Sequence, residues 1–124
     1  CHKEIYQGWQ KSKHGNAFET LAKVHKDKNA DCLQCHTVGY GETSGYQDHV
    51  GNKSFEDVGC ESCHGPGEAH IKSKAKKDIR GLGDDCPFCV VEQFCMSCHD
   101  TENAPDFNIH KGLDKVRKYH GVEK

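Results

Sequence analysis

The sequence points to a mainly α-helical chain with extensive irregular loops, packed as a single domain over residues 1–124. Three observations lead there. The 124 residues are only 34% hydrophobic, with a mean hydropathy of −0.88. Apolar residues recur at helical spacing near both ends of the chain, with no alternating stretch that reads as a strand. A five-residue pattern, CxxCH, occurs three times in full. A chain this short and this polar has too few apolar side chains for a conventional core, so something else must fill its interior.

Residues 3–27 read as helix, with Ile5, Tyr6 and Trp9 near one face and Phe18, Leu21 and Ala22 repeating the pattern. Gly15 and Asn16 break it in two. Residues 37–59 are rich in Gly, Ser, Asn and Asp and read as an irregular loop. The run GPGEAHIKSKAKK predicts a sharp exit and a new helix starting at Pro66, whose fixed backbone angle suits a first helical position, with His70 one turn in. A second loop, DIRGLGDDCPF, follows. The tail FNIHKGLDKVRKYHG reads as an amphipathic helix closed by Gly121. His2, His36, His64 and His99 are spaced too unevenly for a solenoid repeat.

The full motifs are CLQCH (Cys32, Cys35, His36), CESCH (Cys60, Cys63, His64) and CMSCH (Cys95, Cys98, His99). Two thiols at this spacing add across the vinyl groups of one haem, and the adjacent histidine reaches the iron from the same side. The chain opens Cys1-His2, the last two letters of a fourth such motif; a lipid-modified N-terminal cysteine is the other reading. Zinc is the rival cofactor, since Cys32/Cys35 and Cys60/Cys63 can supply four thiolates, but it leaves His36, His64 and His99 unexplained. Four haems c, or three if Cys1-His2 is no site, would stack as the core of a compact multihaem cytochrome, with Tyr40, Tyr46 and Phe55 against haem edges. Without haem, little stable structure is expected.

Histidine must ligate the far side of each iron. Met96 is the one methionine, and it lies inside CMSCH, on the proximal side of its own haem. His14, His25, His49, His70, His110 and His120 remain as distal candidates. Bis-histidine ligation lacks the thioether that raises potentials in Met/His cytochromes, so low potentials follow.

Nine cysteines in a small chain imply bound cofactors, and haem is attached covalently outside the bacterial cytoplasm, so a periplasmic or extracellular location is expected. The chain shows no signal peptide or membrane-spanning run and reads as mature and soluble. Its formal charge of −2 becomes more negative with ionised haem propionates, which argues against nucleic acid as a partner. CPFC (Cys86, Cys89) has Val90 where a histidine would stand; a local disulfide is the leading reading, with free thiols or metal capture as the others. Lysines at 72–77 and at Lys111, Lys115 and Lys118 form either a solvated face or a docking surface for an acidic redox partner. No nucleophile with a base, and no paired carboxylates, stand out.

The strings CHKEIYQGWQKSKHGNAF, CLQCHTVGYGETSGY, DVGCESCHGPG, CMSCH and KVRKYHG resemble the tetrahaem cytochrome c-554 family, in that order and over nearly the whole chain. VGCESCHGPG is the most specific element. The resemblance implies distal roles for His14, His70 and His120, a compact, mainly helical fold with closely stacked haems, and a five-coordinate haem at CLQCH open to small nitrogen oxides. His25, His49 and His110 depart from the family pattern, and any of them could fill that open position from this chain or a neighbouring one. The expected function is electron transfer between a donor and an acceptor redox protein. The alternatives are a haem enzyme reducing a small nitrogen oxide, and a subunit that self-associates into an extracellular filament.

Overall fold

A computed structural model describes residues 2–48, 50–73, 79–80 and 88–121, with the backbone alone at 88–90. In chain order the elements are α1 (Lys3–Gln10), a 3₁₀ turn (His14–Asn16), α2 (Ala17–Ala22), α3 (Ala30–His36), a second 3₁₀ turn (Lys53–Phe55), α4 (Cys60–His64), α5 (Glu68–Ser73), α6 (Phe88–Met96) and α7 (Ile109–Tyr119). Among the described residues there is no strand, only an isolated antiparallel bridge between Thr37 and Glu56. The helical, loop-rich fold is the expected one.

The first helical stretch is shorter and more divided than its periodicity suggests. Helix α1 stops at Gln10 because the chain folds back on it: a Cβ on Gly15 would lie 2.4 Å from the Trp9 carbonyl oxygen, so only glycine fits. Asn16 then donates from Nδ2 to the carbonyls of Gln10 (2.9 Å) and Ser12 (2.8 Å), pairing groups that the end of a helix leaves orphaned. Helix α2 ends at Ala22 rather than running to residue 27. His25 takes the left-handed position (φ 56°), its N–H bonds to Ala22 O (3.1 Å), and Lys26 N–H bonds to Leu21 O (2.9 Å), which together form a Schellman stop.

The described residues of 37–59 form the expected loop, but the loop is not peripheral. Val38 N–H bonds to Phe55 O and Tyr46 N–H to Val38 O, drawing Val38 and Tyr46 inward. Tyr46 is buried with Leu21 and Leu33, and Phe18, Tyr40 and Phe55 pack around them. The buried apolar residues among those described are Ala17, Leu21, Leu33, Val38 and Tyr46. The same loop reaches back to the other helices. The Asp57 carboxylate accepts from Phe18 N–H in the first turn of α2 (2.8 Å), and Val58 O accepts from the Trp9 indole (2.8 Å).

Helix α5 begins at Glu68, two residues later than Pro66, because the Gly67 N–H is taken by the Glu61 side chain of α4 (2.7 Å). The C-terminal helix matches its expectation. Asn108 caps it by accepting from Lys111 N–H (3.0 Å), and Gly121 follows it at φ 72°. Helices α1 and α7 pack closely where Gly8 meets Tyr119; a Cβ on Gly8 would lie 2.8 Å from Tyr119 Cβ.

Candidate haem site

Each CxxCH motif lies on a helix or at its end. CLQCH closes α3, CESCH is the whole of α4, and CMSCH straddles the end of α6, where His99 N–H still donates to Cys95 O at 2.9 Å. Residues three apart share a helix face, so the two cysteines of a motif project together, with the histidine beside the second. Local chemistry fixes these short helices. Asn29 caps α3 by accepting from Asp31 N–H (2.9 Å). Gly59 admits Val38 at the start of α4, and Gly65 ends it at φ 75°. His2 is exposed just before α1, and Cys1 lies outside the described residues.

The structure brings motif histidines against distant ones in three ring pairs. The centroids of His2 and His70 are 6.2 Å apart, those of His14 and His99 6.1 Å, and those of His64 and His120 6.1 Å. The interplanar angles are 19°, 48° and 50° respectively. An imidazole nitrogen binds a metal at about 2.0–2.1 Å, so two rings sharing one metal place their centroids about 6 Å apart. His70, His14 and His120 come from α5, the first 3₁₀ turn and the residue after α7. Among the described residues, no ring is paired in this way with His36.

In His14, His36, His64 and His120, Nδ1 has a partner that leaves Nε2 available. Nδ1 of His36 lies 2.7 Å from Ala17 O, that of His64 2.8 Å from Arg80 O, and that of His120 2.9 Å from Val116 O. Such Nδ1–H···O=C bonds fix tautomer and orientation in metal-ligating histidines. His14 differs, because its Nδ1 meets the Tyr119 hydroxyl at 3.3 Å. Phe107 lies flat on His99, with centroids 4.0 Å apart and planes at 11°, where Gly112 leaves room for it. Arg80 N–H bonds back to His64 O (3.1 Å), and its guanidinium stands over the Phe94 ring at 4.4 Å. Burial holds His14 below its ordinary pKa, with His99 adding to the shift, and burial lowers His99 as well. Both rings are thereby biased toward the neutral form that a metal needs.

The sulfur environment is consistent with the haem reading. Burial, helped by the neighbouring Cys98 thiol, pushes Cys35 up to about 11, and burial also raises Cys63 and Cys95. Those surroundings suit a sulfur that stays uncharged, as in a thioether. Among the described residues, no three His, Cys, Asp or Glu side chains converge as a metal site. Cys32, Cys35, Cys60, Cys63, Cys95 and Cys98 are all free of disulfides. Beside Cys60, an open cleft of about 310 Å³ is lined by Tyr6, Trp9, Val38 and Phe55 among others. The sulfurs, the histidines next to them and this apolar wall fit haem c.

Some expected residues lie elsewhere. His25 is exposed at the stop of α2, and His110 is exposed on α7. His49, Lys74–Lys77 of the first lysine cluster and Cys86 lie outside the described residues, as does the side chain of Cys89. Lys111, Lys115 and Lys118 are exposed on α7. Sequence reasoning missed Tyr119, Phe107 and Arg80, the neighbours that orient His14, His99 and His64. The only available signal was that Tyr119 directly precedes a candidate ligand; its contact with His14, 105 residues away, has none.

Comparison with known proteins agrees with these features. Residues 1–65 match the family described as cytochrome c554 and c-prime. Cytochrome c-554 of Nitrosomonas europaea is 32% identical over 135 residues, covering 85% of this chain and 56% of that protein. The chain therefore spans little more than half the length of this relative. No solved structure matches it. Among the described residues, no helix is long and apolar enough to cross a membrane. With its CxxCH helices, its facing histidines and a relative at this identity, the chain belongs to the cytochrome c-554 family and is a haem-binding c-type cytochrome.

Proposed function

We propose that this protein carries electrons between a donor and an acceptor redox protein as a single domain, exported to the periplasm or beyond. The observation that carries the reading is the set of three ring pairs at 6.1–6.2 Å, two joining a CxxCH histidine and one joining His2 of the Cys1-His2 pair to a histidine from a distant segment. This separation supports bis-histidine ligation by His2 with His70, His14 with His99, and His64 with His120. Cys1, Cys32, Cys35, Cys60, Cys63, Cys95 and Cys98 would hold the porphyrins through thioether bonds, four in all with the site at Cys1-His2. Bound haem supplies the one-electron iron couple. The chain's part is to choose axial ligands, fix their orientation through Nδ1 and limit water around them; paired histidines favour low potentials.

Intact mass measured under denaturing conditions tests this reading, because each covalently held haem adds a fixed increment. Four increments support it, three remove Cys1-His2 from the set, and none overturns it.

A second reading attaches to His36, which no described ring faces. His25, His49 and His110 are the remaining candidates for its iron. If none binds there, that iron is open to a small nitrogen oxide. Carbon monoxide binding to the reduced protein, with high-spin ferric iron in the oxidised one, would support this reading. Fully low-spin iron that ignores carbon monoxide would exclude it and leave pure electron carriage.

A further inference from the structure

We infer that Tyr119 is a positioning residue for His14, and that its hydroxyl gives the haem site at Cys95, Cys98 and His99 a potential set by a side chain rather than by the backbone. The inference rests on the proposed pairing of His14 with His99. His36, His64 and His120 each direct Nδ1 at a main-chain carbonyl, at 2.7, 2.8 and 2.9 Å. His14 alone among them directs it at a phenol oxygen, at 3.3 Å. With Nε2 committed to a metal, Nδ1 carries the hydrogen and the Tyr119 oxygen accepts it. A bond of this kind orients the ring and raises its basicity, which favours ferric iron.

Tyr119 is itself held in place. Its Cβ rests against Gly8 of α1, where no side chain could be added without a clash. Its ring lies 5.0 Å from the ring of the adjacent His120, at 33°. One side chain thus touches the distal ligands of two sites, with its oxygen toward one and its ring toward the other. The longer bond to a weaker acceptor makes His14 the less basic ligand of the group, and Tyr119 is the only Nδ1 partner of these four that a substitution can remove.

Tyr119→Phe in the full holoprotein deletes the hydroxyl and keeps the ring. Potentiometric titration followed by electron paramagnetic resonance should show one midpoint potential shifted upward and one low-spin signal altered. The signals of the His2/His70 and His64/His120 sites should stay unchanged. His14→Ala, run alongside, should turn one low-spin centre high-spin. If it does and Tyr119→Phe moves no potential, the role of Tyr119 is only packing and the inference fails alone. If His14→Ala leaves every centre low-spin, the pairing fails and takes the inference with it. Equal shifts at all sites in Tyr119→Phe also overturn it. Should that variant not assemble, proton resonance of the reduced natural protein decides: a slowly exchanging His14 Nδ1–H near the Tyr119 ring protons is expected, and its absence refutes the contact.

Discussion

Leu33, in the middle of α3, is 0% exposed, whereas α1, α4, α5 and α7 bury no residue at all. Every buried apolar residue among those described falls between Ala17 and Tyr46, around the CLQCH motif. That region closes on Leu21, Leu33 and Tyr46 and is tied by Thr37 Oγ1 donating to Leu33 O (2.7 Å) and Val38 N–H to Phe55 O (2.8 Å). The remaining elements bring histidines together, His2 facing His70, His64 facing His120 and the turn at His14 facing His99, beside the close packing of α1 on α7 at Gly8 and Tyr119. One region is thus organised by apolar burial, and the other brings histidine rings face to face. Where ligands take the place of a core, the free energy of coordination becomes folding free energy. His36, which no ring faces among the described residues, belongs to the region with the buried apolar side chains.

Withholding haem should separate the two regions most strongly. In protein made without haem attachment, amide hydrogens of α1, α4, α5 and α7 should exchange freely, while residual protection concentrates in α2 and α3. Equal protection throughout would break the comparison. Next in size is Leu33→Ala, which should cost about 2–5 kcal/mol in denaturant unfolding, as enclosed leucines do. It should leave the spin states of the three paired sites unaltered. A cap on the ligand-held side should matter less: Asn108→Ala removes the bond to Lys111 N–H (3.0 Å) and should cost about 1 kcal/mol.

The smallest expected effect is on pH. Burial favours neutral His14 and His99 in the folded chain, and an iron held between them would favour it further, while in the unfolded chain they titrate near 6.5. As pH falls below that value, the unfolded state takes up protons first, so stability drops with acidification and recovers as pH rises. Thermal unfolding followed between neutral and mildly acidic pH checks the sign; a protein more stable in acid would contradict it.

Part of this organisation was legible in the sequence. CxxCH carries its own spacing, so six cysteines and three histidines could be named before any fold was known, with Cys1-His2 as the last two letters of a further motif. The same holds for the last helix, bounded by Asn108 and Gly121, whose signals are local. Non-local signals were out of reach. Helical periodicity ran past Gln10 because nothing in it says that Gly15 folds back so close to Trp9 that a Cβ there would lie 2.4 Å from the Trp9 carbonyl oxygen. His25 carried no sign that it would end α2 in a left-handed turn. Residues 37–59 read correctly as loop, yet irregular backbone has no period from which the burial of Val38 and Tyr46 could be read. Candidate distal histidines could be counted but not matched, since matching His14 to His99 requires the tertiary fold.

The central claim is that three facing histidine pairs each hold one iron. Electron paramagnetic resonance of the oxidised holoprotein, compared with His70→Ala, His14→Ala and His120→Ala, tests it most directly. The account predicts that each variant loses a different low-spin signal and gains one high-spin centre in its place. A variant that folds and keeps every low-spin signal would contradict it.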